Sequence, residues 1–494
     1  MTVPPPAIAA GVRSRSLPVR LPLFAFAGCA SILVAGVAAS EPKLLLGALV
    51  ALCVVTLAFR NPVANLTLFV FLTTVVPFHV LNRFSVGGGL NSPGLLLSDI
   101  FLLAGLAWAA LAVPSLPLDR RHYLYSLAIV FFLAVVVIQT VHGFFDGYVR
   151  STVGQEARVL LGFGTFLIAL PLLAHGPSRR RLLGALTLVA LALGGWGMLQ
   201  WLGHYSFGAA GDVGVRAGVR LTSGGGGQLQ GGEFAFPVAI IFCFAALTLA
   251  EIRSWLWRSL LLTALALNIA SCLVTFERSF WLDAVAGVAF VLVFAPGGKR
   301  LKVLGAMTAA VVIGIGVVSA VSPQTLTTAQ QRLNSIGAYQ SDDSVRYRVV
   351  ESRVVYERIR AHPLEGSGLG ATIFWGQPWA KVPPKTRNYS HDGYLWLAWK
   401  VGLPTAALLV LLLILSLFGR NAFDEEPLSL ATRRGAQGAI LGLLVATITF
   451  PSFSQLSIAP VIGLLLALAI SPSFRPRPER SRPAAQARAA ALSR

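Results

Sequence analysis

The chain of 494 residues is poor in charge: 12% is Asp, Glu, Lys or Arg, and 55% is hydrophobic. An ordinary soluble domain has roughly 25% and 45–50%. That scarcity excludes a soluble enzyme. Acids are the scarcer sign, twenty against forty Lys plus Arg, for a formal net charge of +20. In a soluble chain such an excess would suggest nucleic acid. At a mean hydropathy of +0.72 it reads instead as basic residues holding cytoplasmic loops in place, and no nucleic-acid partner is expected. The four cysteines, Cys29, Cys53, Cys243 and Cys272, lie inside apolar runs, so neither a disulfide framework nor a zinc site is indicated. Clustered carboxylates for a metal are also lacking. The first outer loop offers only Glu41, and Asp342-Asp343 reads as a loop feature or helix cap. No convincing cleavage site follows the first apolar run, which is read as a retained helix.

What is present is a succession of apolar runs near the roughly 20 residues that span a bilayer as helix. The expectation is an all-α polytopic membrane protein with about 14 (12–14) transmembrane helices. The expected spans are 21–39, 44–59, 62–80, 97–114, 123–141, 159–175, 182–203, 233–250, 257–275, 279–296, 303–322, 393–418, 436–451 and 456–471. Residues 1–20 form a cytoplasmic N-terminus, 21–322 a transmembrane bundle with an outer Arg/Gly-rich loop at 204–232, and 323–392 a large outer loop. Residues 393–471 supply the last spans, and 472–494 a basic, disordered cytoplasmic tail with affinity for anionic lipid. With the N-terminus inside, every inner connection is basic, from Arg13, Arg15 and Arg20 to Arg420, Arg433 and Arg434.

Function is expected at the outer face. In the large loop, residues 344–361 place Val345, Val349, Val350, Val354, Val355 and Ile359 at helical spacing, with Arg346, Arg353 and Arg360 on one stripe. This amphipathic helix stops at His362-Pro363, and Gly366, Gly368 and Gly370 then make a turn. Its arginines suit either lipid phosphates or a phosphorylated substrate at the membrane surface. Thr275-Phe-Glu-Arg-Ser puts Glu277 and Arg278 at the outer boundary and Asp283 within the following span, where ionisable groups are costly. Asn388-Tyr-Ser-His-Asp-Gly then leads into a span that carries Lys400.

This order of elements resembles the O-antigen ligase and O-antigen polymerase family. His391-Asp392 before an apolar stretch is similar to its His-Asn signature, and Pro363-Leu-Glu-Gly-Ser-Gly-Leu-Gly370 to its Pro-Leu-x-Gly-x-Gly-x-Gly turn. Arg348, or Arg346, stands where the family has an arginine before that turn. Arg278 matches its Thr-x-Ser-Arg element, and Arg220, or Arg216, its Arg-x-x-Gly element. The chain departs from the pattern with Asp392 for Asn, Glu277 for Ser and Lys400 for Glu.

The resemblance implies a GT-C-like glycosyltransferase of the bacterial cytoplasmic membrane, multi-pass, with both termini inside and its active site on the periplasmic or extracellular face. Its donor would be a glycan on undecaprenyl pyrophosphate and its acceptor a glycan or glycolipid, in contact with membrane lipids and without metal or other cofactor. Arg220, Arg278 and Arg348 would clamp the pyrophosphate, with Arg346 and Arg216 as alternates. His391 would be the general base, supported by Asp392 and Glu277. Three readings stay open: a ligase acting on a separate acceptor, a polymerase extending lipid-linked repeats, and a flippase or transporter. In the last, Lys400 with Asp283 as partner would matter most. Trp375, Trp379, Tyr389, Tyr394, Trp396 and Trp399 suit either sugar stacking or an interfacial belt.

Overall fold

The computed structural model describes residues 61–76, 94–116, 118–202, 235–275, 277–295, 343–377, 382–418 and 426–471, with a few isolated positions elsewhere. All these segments belong to one compact unit, Asn61–Arg494. The expected spans at 21–39 and 44–59, most of 303–322, the loop 204–232 with Arg216 and Arg220, and both termini lie outside the described residues.

The described elements are overwhelmingly helical. In order they are α1 (Pro62–Thr74), α2 (Leu97–Ala112), α3 (Arg120–Phe145), α4 (Arg150–Leu161), α5 (Thr165–Ala174), α6 (Gly176–Leu202) and α7 (Ala235–Leu249). Then come α8 (Trp255–Val274), α9 (Arg278–Val293) and α10 (Asp343–Ala361), followed by strands β1 (Ile373–Gln377) and β2 (Val382–Arg387). The last are α11 (Gly393–Val401), α12 (Leu403–Leu417), α13 (Pro427–Thr447) and α14 (Ala459–Ile470).

Local chemistry sets several starts. Asn61 caps α1, its side chain accepting from the N–H groups of Val63 and Ala64, and proline opens α1 and α13 at positions where no intrahelical N–H is needed. Among the described residues four helices are long and apolar enough to cross a membrane: Arg120–Phe145, Arg150–Ala174, Gly176–Trp201 and Trp255–Val274. The outer face of α3 carries Leu127, Phe131 and Ile138, each more than half exposed, which suits lipid and would be a liability in water.

Helix α13 is the centre of packing, lying against α7, α9, α12 and α14. Its crossing with α9 is close because Gly438 and Gly442 face it: a Cβ at Gly438 would stand 2.7 Å from the Gly287 carbonyl, and one at Gly442 would run into Asp283.

Three expectations are corrected. The run 393–418 is two helices, broken at Gly402, whose φ of +83° continues no helix. Helix α13 starts at Pro427 rather than near 436, so Arg433 and Arg434 are buried inside a helix instead of lying in a loop. Arg434 donates to Gln437 (2.9 Å) and stacks over Phe294 (3.6 Å). The large loop is not purely helical: β1 and β2 form an antiparallel hairpin with Ile373 opposite Arg387. Pro383 and Pro384 exclude helix there, while Ile373, Phe374 and Trp375 favour strand.

Candidate active site

The amphipathic helix α10 forms where its periodicity places it and ends at Ala361, one residue before His362-Pro363. The chain then passes through Gly366, Gly368 and Gly370, all at positive φ (+77°, +82° and +84°). Only glycine fits the last of these, since a Cβ on Gly370 would stand 2.5 Å from Val153. This turn binds the scaffold together. Ser367 N–H donates to the Trp399 carbonyl (2.8 Å), Leu403 N–H to that of Pro363 (2.9 Å), and Gly370 N–H to Glu156 (2.7 Å) on α4.

Glu156 is fully buried and is the hub of that junction. It accepts from Lys400 Nζ (2.9 Å), from Gly370, and from the Asn388 amide at 3.4 Å, while Lys400 also donates to the Ala371 carbonyl (2.6 Å). Lys400 therefore pairs with Glu156, not with Asp283. Asp283 lies on α9 against Gly442, and its Oδ1 has no hydrogen-bond partner among the described residues.

His391 sits at the end of the loop, directly before α11. Its backbone N–H donates to Glu351 Oε2 (2.8 Å), and its ring Nδ1 lies 2.8 Å from the same oxygen. A carboxylate only accepts, so Nδ1 carries the proton and Nε2 the lone pair of the neutral ring. Glu351 is fully buried, and its Oε1 has no partner among the described residues. Tyr347 and Tyr389 stand edge-on to the imidazole, both at 5.4 Å. Burial pushes the Tyr347 phenol above its ordinary range, so it stays a neutral hydroxyl.

Arg387 closes this group. It donates to the hydroxyls of Tyr389 (2.9 Å) and Tyr347, and its guanidinium lies 5.1 Å from the Trp375 ring. Together these groups make a histidine with one nitrogen anchored, walled by aromatics and an arginine, 17% exposed at its side chain.

Asp392 does not support the imidazole. It caps α11, accepting from the N–H groups of Tyr394 (2.9 Å) and Leu395 (3.0 Å), because adjacent side chains point apart at a helix start. Trp396 and Trp399 are core residues rather than an interfacial belt, 0% and 1% exposed.

Of the arginine candidates, Arg348 is half-buried and Arg346 exposed on α10, one to two turns before Glu351. Arg278 opens α9 with Glu277 as the preceding cap residue. Two residues on, Phe280 packs on Phe450 (5.1 Å). Gly393, two residues after His391, is held so close to the same segment that a Cβ there would stand 3.2 Å from the Phe450 carbonyl. The starts of α9 and α11 thus share one neighbour, which puts Arg278 and His391 at the same end of the bundle. Arg216 and Arg220 cannot be placed with them, lying outside the described residues.

Sequence reasoning missed Glu351, Glu156 and Arg387. Only Glu351 left a signal: it falls four residues after Tyr347 and four before Val355, on the buried stripe of α10.

Residues 261–410 match the family model described as O-antigen ligase. Over this stretch the chain is similar to the O-antigen ligase family. No curated protein gives a significant match to it. The ligase-family region runs from within α8 into α12, so it holds Arg278, Arg348, Glu351, Arg387, His391 and Lys400, while Glu156 reaches that region from outside the match.

Proposed function

We propose that this protein is an O-antigen ligase-like glycosyltransferase. It moves a glycan from a polyprenyl, in bacteria undecaprenyl, pyrophosphate to an acceptor hydroxyl at the outer face of the cytoplasmic membrane. The observation that carries this reading is the fixed orientation of His391 by buried Glu351 within the stretch similar to the ligase family. A carboxylate that holds Nδ1–H leaves Nε2 to take the proton of an attacking hydroxyl and stabilises the imidazolium that results.

As that proton moves to Nε2, the acceptor oxygen bonds to the anomeric carbon. The carbon–oxygen bond to the pyrophosphate breaks, and its electron pair leaves with the phosphate. Negative charge grows there, and arginine answers it with a planar, permanently charged fork. Arg278 and Arg348 are the described candidates for this clamp, with Arg346 as alternate, and Arg220 or Arg216 would complete it. Arg387 braces the wall of the base. No metal or cofactor is required by this scheme.

The test uses purified protein in lipid with a polyprenyl-pyrophosphate glycan, without added metal, reading release of free carrier and glycan transfer. Loss of both in His391→Ala supports the base; full retention removes it. Lipid A core as acceptor in one assay and only lipid-linked repeats in another separates a ligase from a polymerase.

A further inference from the structure

A cavity of about 300 Å³ opens at the C-terminal end of α10. His142 and Asp146 come to it from the end of α3, Arg358 from α10, and His362 and Glu365 from the chain just past α10. Thr372 and Trp399 are among the other residues that line it. The ion pairs in it are local: His142 Nε2 to Asp146 at 3.2 Å and His362 Nδ1 to Glu365 at 2.9 Å, with side chains 38% to 55% exposed. Bonds from its own backbone and from His362 hold the Glu365 carboxyl below its usual range, so it remains an ionised acceptor. Trp399, part of the wall, carries a buried indole N–H with no acceptor among the described residues.

The make-up of this cavity suits a sugar better than a pyrophosphate. Two carboxylates would repel phosphate, whereas carboxylate acceptors alternating with imidazole, guanidinium, phenol and hydroxyl groups match the donors and acceptors of neutral sugar hydroxyls. Its position along α10 gives the direction. Arg346 and Arg348 precede Glu351, and Arg358 follows it by seven residues on the same stripe, about 10 Å further along the axis at 1.5 Å per residue. The base of a transferase must stand beside the incoming hydroxyl, on the side of the anomeric carbon away from the leaving phosphate. On α10 the phosphate candidates lie on one side of Glu351–His391 and this cavity on the other.

We propose that the cavity formed by Asp146, Arg358, His362 and Glu365 binds a neutral saccharide unit of the acceptor glycan, two turns of α10 beyond the base. This rests on the transferase reading above. The test separates the two. Donor cleavage with water as acceptor reads the clamp and base alone; transfer to delipidated envelope oligosaccharide, prepared from the cells that make the protein, reads the cavity as well. Asp146→Asn and Arg358→Gln, both outside the proposed catalytic group, are expected to raise the acceptor KM at least tenfold while donor cleavage by water stays within twofold. An unchanged acceptor KM, or an equal loss in both assays, overturns the proposal. If the wild type cleaves no donor, the transferase reading fails. The cavity is then still decided by saturation-transfer NMR with the same oligosaccharide: binding by wild type that is lost in Thr372→Trp, which fills the cavity, upholds a saccharide site, and no binding by wild type refutes it.

Discussion

Two glutamates lie fully buried within a short reach of the loop end, and they are satisfied to different degrees. Glu156 divides its two oxygens among Lys400, Gly370 and Asn388, so neither oxygen is left without a donor. Glu351 spends one oxygen on His391, twice, and leaves the other with no partner among the described residues. A buried charge that is fully answered holds a structure; one answered only through a histidine, with a spare oxygen, costs stability and marks a candidate for chemistry. Glu156 joins α4, the glycine turn and α11 into one body, and that body fixes where His391 and Glu351 stand.

The widest break in this comparison comes from Glu156→Ala. It strands Lys400 as a buried, uncompensated charge, and removing one partner of such a pair costs about 3–5 kcal/mol. The expected outcome is loss of folded protein, read as a collapse of the thermal unfolding temperature or of monodisperse yield. The exchange Glu156→Lys with Lys400→Glu restores charge balance and should recover part of that loss. It also places Glu at 400, as the family pattern often does, so full failure of the exchange would show that Gly370 and Asn388 need the carboxylate on α4.

His391→Ala is the milder case for stability: Glu351 keeps the residue-391 backbone N–H, so the chain is expected to fold with some loss of stability, while transfer falls by about 10²–10⁴, the usual worth of a general base. Glu351→Gln keeps an acceptor for the histidine but removes the charge that stabilises the imidazolium. It should lower kcat by roughly 10² within that same range, with donor KM unchanged. A Glu351→Gln enzyme that loses stability like Glu156→Ala, or that changes only KM, would erase the distinction between the two carboxylates. Next in size, Arg348→Lys keeps the charge and loses the fork. It should cost about 1–2 kcal/mol of transition-state binding, seen as a fall in kcat/KM for the lipid-linked donor.

Much of this arrangement was legible because it is local. The stop of α10 at Ala361 follows from the His362-Pro363 pair, the positive φ angles of Gly366, Gly368 and Gly370 from their residue type, and the place of Arg278 from the polar step between two apolar runs. What was not legible depends on distance along the chain. Glu156 and Lys400 are 244 residues apart, and nothing in either neighbourhood names the other. Asp283 was the nearer acid in sequence and the wrong partner. The break at Gly402 was hidden because Leu and Val run on either side of it, and Arg433 and Arg434 were assigned to a loop because basic residues at a membrane boundary usually are. Adjacency to His391 makes Asp392 the sequence's candidate to support the imidazole and gives no hint of Glu351, yet adjacent side chains point apart and a helix forty residues upstream supplies the contact.

Asp392 gives the finest test of how far charge at this junction matters. Its Oδ1 accepts two N–H bonds at the start of α11, and an amide oxygen can accept both as well. Asp392→Asn, the residue the family pattern often has there, should therefore fold like the wild type and transfer at nearly the same rate. Asp392→Ala loses the cap at about 1 kcal/mol. The pH response separates the charge from the cap. Burial raises the Asp392 carboxyl above the ordinary carboxylate range, outweighing the two N–H bonds. The folded chain thus holds this proton more tightly than the unfolded chain. The resulting stability is present on the acid side and is lost as pH rises through the raised value. Thermal unfolding followed from pH 4 upward should show a small decline in the wild type that Asp392→Asn lacks. A decline of the same size in both would mean that the proton belongs to another group, and that Asp392 contributes to the start of α11 through its oxygen alone.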